Sequence, residues 1–439
     1  MAGDARTTNT IESLIASGAI LAHKDGNYGS SYPRIEEFGS NGVPFLTAKS
    51  LRDGHVDIAS APRLADARAN ELRFGFVEPD DVLLSHNATI GRVAVVPQHK
   101  GRLLVGTSLT YFRLNPQKLL PRYLAVYLAG VDFQNQLVAV MSHSTRNQVP
   151  VTAQRKLHVV VPSLAEQKAI AAVLGALDDK IESNRRMNGT LEAMARALFQ
   201  SWFVDFDPVR AKLDGRLPSG LDPATAALFP TSFQQSEIAH IPEGWTVGKI
   251  ADLATLSRDA VNPADFPTET FDHFSLPAFD AGRTPKVELG IAIMSNKLVV
   301  TPNSVLLSKL NPHIPRIWLP DLHPTRRSLC STEFMVACSK RDVTREYLFS
   351  LFTSSAFTSV YGTLVTGTTG SHQRIRSESV LEMQVIIPPP PLIQAFTAIA
   401  KPMFDQINRN TEQSRTLATL RDTLLPKLLS GKLSINAAI

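Results

Sequence analysis

The chain has 439 residues, 44% apolar and 19% charged, so at roughly 150 residues per domain it calls for about three structural units rather than one core. A mean hydropathy of −0.02 excludes a disordered or collagen-like composition; no apolar run reaches the roughly 18 residues of a bilayer span, and the N-terminus has no basic stretch leading into an apolar one, so a cytoplasmic location without membrane attachment is expected. The 45 basic and 40 acidic residues leave +5, which permits an anionic partner without requiring one, and the two cysteines, Cys330 and Cys338, have no CxxC or paired histidines around them, which excludes a disulfide framework and predicts buried free thiols with no metal site.

Internal repetition dominates the sequence. VLLS at Val82 to Ser85 recurs at Val305 to Ser308, an offset of 223 that also relates Ser108 to Ser331. The offset drifts to 224 at Tyr123 and Tyr347, 225 at Gln148 and Gln373, and 226 from Pro162 and Pro388 onward, each shift falling where a loop is plausible. Two copies of one unit are therefore expected.

In chain order, residues 1–162 carry short β-like runs beginning at Val43, Asp81, Gly91 and Leu109, then a helix around 121–140; residues 163–206 form one long helix. Residues 207–240, punctuated by prolines and without a sustained period, are expected to be a mostly extended linker. Residues 241–390 repeat the pattern with SVLLS, RIWLP and EFMVA and a helix around 345–360, and 391–435 form a second long helix. Each globular copy is mixed α and β with its own core.

The long helices carry matched heptad seams. In the first, Ile170, Leu174, Leu177, Ile181, Asn184, Asn188, Leu191, Ala195, Leu198 and Trp202 alternate at spacings of four and three. The second carries Phe396, Ala400, Met403, Ile407, Asn410, Ser414, Leu417, Arg421, Leu424 and Leu428 at the corresponding places. At about 40 residues, or ~60 Å, each helix is longer than one domain is wide, so the two stripes are expected to bury each other. Asn184 and Asn410 then need partners across the seam, Pro402 is expected to kink the second helix, and Asp178 is expected on its solvent side.

The order of these parts, with Glu166 and Gln167 opening the central helix, FQSWFVDFDP at its exit (Phe199 to Pro208), the ALFP and IPEGW linker elements, and DGNYGSSYPR and VPFLTAKSLRDG near the start, closely resembles the specificity subunit of type I restriction-modification systems. The resemblance covers essentially the whole chain. It departs at the distal helix, where Pro391 to Gln394 lack an acidic residue equivalent to Glu166. The resemblance implies an α+β fold with two mixed α/β target recognition domains in tandem pseudo-repeat, separated by two long helices in an antiparallel coiled coil. It further implies a non-catalytic reader of double-stranded DNA, each domain taking half of a bipartite asymmetric target, with two modification (methyltransferase) subunits docked on the helices and restriction subunits recruited through those. No cofactor is then expected in this chain; S-adenosylmethionine, ATP and Mg2+ would be used by the partners.

The residues agree with a subunit that has no chemistry of its own. The strings NPQK, NPAD and NPHI lack the second proline and aromatic of an adenine methyltransferase, and GTLVTGTT from Gly362 lacks the phosphate-binding lysine of a nucleotide loop. A two-headed scaffold for two protein partners is the alternative; duplex DNA binding with a steep salt dependence separates the readings. Candidate DNA contacts are polar loop residues able to meet bases or phosphates: Asn27, Tyr28, Ser31, Arg34, Lys49, Arg52, His86, Arg92, Thr145, Arg146, Asn147 and Gln148 in the first copy, and Arg258, Lys309, His313, Arg316, Thr369, Ser371, His372, Gln373 and Arg374 in the second. TRNQ and SHQR occupy the same place in both repeats, so that loop is expected to face one ligand in both.

Overall fold

The structure is a computed structural model that describes residues 7–26, 29–52, 54–142, 147–366, 373–430 and 432–433. The chain divides into two compact units, residues 1–185 with 411–439 and residues 186–410. Each therefore contains one globular copy and part of both long helices.

In the first unit a four-stranded antiparallel sheet has the order Val93–Val95, Val82–Ser85, Leu109–Leu114, Ile20–Asp25. A five-stranded sheet contains one parallel pairing, between Leu103–Val105 and Val43–Leu46. In the second unit the four-stranded sheet has the same order, Ile317–Trp318, Ser304–Ser308, Phe334–Ser339, Ala254–Ser257. Its five-stranded sheet again has one parallel pairing, between Thr270–Phe274 and Arg327–Cys330. The VLLS runs are buried on both faces, which is why they read as unbroken apolar strings rather than as an alternation. A pair of helices follows in each unit, Pro121–Ala129 with Val131–Ser142 and Arg345–Thr353 with Ser355–Thr363. At the first break Gly130 lies against the Leu425 side chain, whose Cδ2 would have to shift to admit a Cβ there. Among the described residues no single helix is long and apolar enough to cross a membrane.

The long helices run Leu164–Phe203 and Pro390–Leu429, antiparallel to each other. Their ends are built into the cores. In the first unit Ile170, Ala171 and Leu174 pack in the same apolar cluster as Leu425, Leu428 and Leu429, together with Val82, Phe112 and Tyr123 of the globular part. In the second, Phe199, Trp202 and Phe203 join Phe396, Tyr347 and Trp245, with Phe203 and Phe396 rings 5.5 Å apart edge to face.

Three expectations are corrected. The segment after the central helix is not extended: Asp207–Leu213 is helical with Val209 buried, Asp222 caps a short helix at Pro223–Ala227, and Phe233–Gln235 pairs with His240–Pro242. The cause is Phe206 and Phe229, whose rings are buried against Trp245 and Trp202 and draw the chain back onto the core, Phe206 in a left-handed conformation that a bulky residue adopts only when tertiary packing holds it. Pro402 leaves the distal helix continuous, because it and Ala398 lie on the exposed side, where water can satisfy the freed carbonyl. Asp178 is not merely solvated; its Oδ1 accepts from Arg421 Nη1 at 2.7 Å. Of the cysteines, Cys330 is buried and Cys338 half-buried, and both are free.

Because Pro402 still lacks its helical hydrogen bond, Pro402→Ala is expected to stabilise the protein by about 1–3 kcal/mol. Thermal and urea unfolding measure it. Phe199→Ala, which empties the aromatic cluster, is expected to cost about 3–5 kcal/mol in the same assay.

Candidate nucleic-acid interface

Both units have the same junction at the C-terminal end of the VLLS strand. In the first, Asn87 forms a β-bridge with Gln148, and the His86 carbonyl accepts from Val149 N at 2.9 Å. In the second, Leu310 bridges Arg374 and the Lys309 carbonyl accepts from Ile375 N at 3.0 Å. Asn87 and Leu310 are 223 residues apart, and Gln148 and Arg374 are 226 apart, so the structure matches Gln148 to Arg374 and not, as the offset of 225 had it, to Gln373; the TRNQ and SHQR loops end on the same backbone platform. The short helices Val151–Gln154 and Ser377–Leu381 follow at once.

The chemistry beneath the platform differs. In the first unit it is buried and neutral: Gln154 Nε2 donates to the Val149 carbonyl and to Thr110 Oγ1, each at 2.9 Å, Thr110 Oγ1 lies 2.8 Å from His86 Nδ1, and Gln154 Oε1 lies 3.1 Å from His23 Nε2. The carbonyl of Val149 can only accept, which fixes the orientation of the Gln154 amide. Thr110 then accepts from Gln154, and the direction of its bond with His86 Nδ1 follows the tautomer of that ring. Burial pushes both histidines down to about 4, His23 with added repulsion from Arg155 and His86. In the second unit the junction is ionic and open: Arg374 Nη2 donates to Glu333 Oε1 at 2.7 Å and Arg258 Nη2 to Glu378 Oε1 at 3.2 Å.

The other candidates are distributed as follows. Lys49, Arg52 and Arg92 come together: Arg92 Nη1 donates to the carbonyls of Ala48 and Leu51 at 3.2 and 3.0 Å, bracketing the turn that exposes Lys49, and Arg52 is exposed just after it. Ser31 sits half-exposed in the 3-10 turn Gly29–Ser31, and Arg34 is exposed beside it. His86 is buried, so its ring serves Thr110 rather than the surface. Asn147 is exposed and Gln148 half-exposed. In the second unit His313 is exposed, Lys309 and Gln373 are half-buried, and the Gln373 carbonyl accepts from Asn311 N. Arg316 is held by both oxygens of Asp280 at 2.8 and 2.9 Å with only 15% of its side chain exposed. Asn27, Tyr28, Thr145, Arg146, Thr369, Ser371 and His372 lie outside the described residues.

Sequence reading missed His23, Thr110 and Gln154, and the acidic partners Asp280, Glu333 and Glu378. Strand pairing brings His23 beside the strand that carries Thr110, and the short helix Val151–Gln154 brings Gln154 to both, contacts that no spacing in the sequence announces.

The helix seam has the polar centre expected of it. In the first unit Asn184 Nδ2 donates to Gln413 Oε1 at 2.8 Å and Ser414 Oγ at 3.2 Å; in the second, Asn410 Nδ2 donates to Asn188 Oδ1 at 2.8 Å. Asn184 corresponds to Asn410 and Asn188 to Ser414 under the repeat, so the two contacts are copies of one another. Toward the ends the seam turns apolar: Ile170, Leu174, Ala195, Trp202, Phe396, Ala400 and Leu428 are buried, and Leu177, Ile181, Leu191, Leu198, Met403, Ile407, Leu417 and Leu424 half-buried. Among the described residues no group of three or more His, Cys, Asp or Glu could hold a metal ion.

The fold is a duplicated mixed α/β domain joined to a pair of long antiparallel helices. Residues 29–193 match the type I restriction modification DNA specificity domain. The chain is 23% identical over 424 residues to the type I restriction enzyme MjaIX specificity subunit of Methanocaldococcus jannaschii, covering 93% of this chain and 91% of that protein. It is 22% identical to the HindI specificity subunit of Haemophilus influenzae, covering 92% and 95%. The crystal structure of the type I restriction-modification S subunit from M. genitalium shares the fold, with a TM-score of 0.52, 12% identity and 98% and 97% coverage. Over more than nine-tenths of its length the chain is thus similar to specificity subunits of type I restriction enzymes.

The buried histidines give a pH prediction. Their folded values lie below the ordinary 6.5, so the stability of the neutral network is fully present above pH 6.5 and is lost as the pH falls from there toward 4, by on the order of 3 kcal/mol per histidine. Urea unfolding at pH 7 and pH 4.5, compared between wild type and His86→Asn, is expected to show a smaller acid loss in the variant.

Proposed function

We propose that this chain is the non-catalytic, sequence-reading subunit of a type I complex, in which each unit reads one half of a bipartite, asymmetric double-stranded DNA target. The observation that carries the reading is the repeated platform: one backbone geometry, present twice, bearing different side chains. Identical folds with different surface chemistry are what an asymmetric two-part site requires of its reader. The cluster of Lys49, Arg52 and Arg92 suits phosphate, whereas Gln148 and Arg374, on the platform edges, suit adenine and guanine edges respectively. The domain bounds that go with this reading are 1–162 and 241–390 for the two recognition domains, with helices at 163–206 and 391–435 and a connecting segment at 207–240.

The paired helices, in the same reading, dock two modification subunits, which in turn recruit restriction subunits. S-adenosylmethionine, ATP and Mg2+ belong to those partners. A cytoplasmic location, where chromosomal and incoming DNA are both met, goes with this role.

Binding of the full chain to duplex DNA, measured across salt concentrations, tests the proposal. A steep fall in affinity with salt is expected, and Lys49→Ala is expected to weaken binding to all sequences alike and to reduce the salt slope by about 1. Absence of salt-dependent duplex binding would instead favour a scaffold for two protein partners.

Helix length supplies a second test. Inserting one heptad into both helices keeps the seam in phase and adds about 10 Å, equal to ~3 base pairs. Sites methylated by the reconstituted complex are expected to keep both half-sites and lengthen the spacer. Two-residue insertions, which turn the stripe by about 200°, are expected to destabilise the helices.

A further inference from the structure

The buried network of the first unit is not part of the surface that would meet DNA, yet it is tied to that surface by a short path. Gln154 is fully buried, and one of its two donated hydrogen bonds goes to the carbonyl of Val149, the residue next to Gln148. Val149 N in turn donates to the His86 carbonyl, and Gln148 bridges Asn87. The second donated bond, to Thr110 Oγ1, anchors the amide to the central strand Leu109–Leu114. Gln154 thus spans from the interior of the sheet to the backbone of the platform edge.

The second unit keeps the platform and replaces the anchor. At the position of Gln154 stands Val380 and at that of Thr110, by strand pairing, stands Met335, both packed in the apolar core, while Glu333, whose carboxylate takes Arg374 from outside, stands at that of Ser108. One edge is held from within by neutral hydrogen bonds, the other from the surface by an ion pair. We infer that Gln154 is a positioning residue for the first unit, setting the register of Gln148 against the end of the Val82–Ser85 strand without meeting DNA itself. This inference rests on the DNA-reading role proposed above. A buried amide suits the task because each bond is directional and none is screened by salt, whereas an apolar residue would fill the space without fixing the edge.

The test is selection by the full-length chain from a randomised duplex library, followed by sequencing of the bound pool. Wild type is expected to enrich two half-sites; if it enriches none, the DNA-reading role itself fails, and the inference with it. Gln154→Met and Thr110→Val are expected to lose base preference about tenfold at one half-site only, with the other half-site unchanged, while Thr110→Ser, which keeps the hydroxyl, retains both. Glu333→Gln is expected to weaken preference at the other half-site. Should Gln154→Met fail to fold, the Thr110 pair decides the question, and the surface variant Gln148→Ala must reproduce the one-sided loss. Folded Gln154→Met or Thr110→Val proteins that enrich both half-sites as wild type does would overturn the inference, as would an equal loss at both, or a Gln148→Ala protein with both preferences intact.

Discussion

The burial of helix ends inside globular cores is the constraint on which the rest depends. An isolated 40-residue amphipathic helix with a polar middle would have little to hold it, since most helical stability comes from packing of an apolar face. Here each long helix contributes an apolar end to one unit and its other end to the second: Ile170 and Leu174 meet Leu425 and Leu428, and Phe199 and Trp202 meet Phe396. Each core is therefore closed by two pieces of chain that are distant in sequence. The first unit needs residues 411–439 as well as 1–185.

That arrangement explains the polar centre of the seam. With the ends fixed by large apolar clusters, the middle is free to carry Asn184 and Asn188 against Gln413, Ser414 and Asn410. Such amides contribute less stability than leucines would, but each bond is satisfied in only one register. Arg421 and Asp178 add an ion pair beside it in the first unit.

The same economy of scaffold and chemistry recurs at the two platforms. Sheet order, the parallel pairing in the five-stranded sheet and the bridge after VLLS are shared between units. What differs is the set of side chains under and on the platform: His23, His86, Thr110 and Gln154 in one, Arg258, Glu333, Arg374 and Glu378 in the other. Backbone hydrogen bonds give the two platforms a common geometry, the side chains on them decide what is presented, and the amide beneath the first ties its edge to the sheet.

Much of this was legible in the sequence by itself. Duplication, the two long helices and their matched seams follow from spacing along the chain, because a repeat offset and a heptad are one-dimensional signals, and the family resemblance is carried by motifs such as FQSWFVDFDP and IPEGW. The amphipathic stripes show which face of each helix must be buried, and two stripes with the same polar centre point to each other. Other features depended on residues brought together from far apart. Nothing local distinguishes His86, which is buried on Thr110, from an exposed loop histidine, or Arg316, locked by Asp280, from a free one. The folding back of 207–240 followed from Phe206 and Phe229 finding tryptophans in the core, a tertiary gain that overrode proline-rich local preference. Pro402 likewise kept its helix because of the side it faces, which spacing alone did not weigh. Periodicity determines which elements form and which faces are apolar; which polar groups end up paired or buried is decided only when strands and helices from opposite ends of the chain are packed together, since a hydrogen bond is satisfied by geometry rather than by residue type.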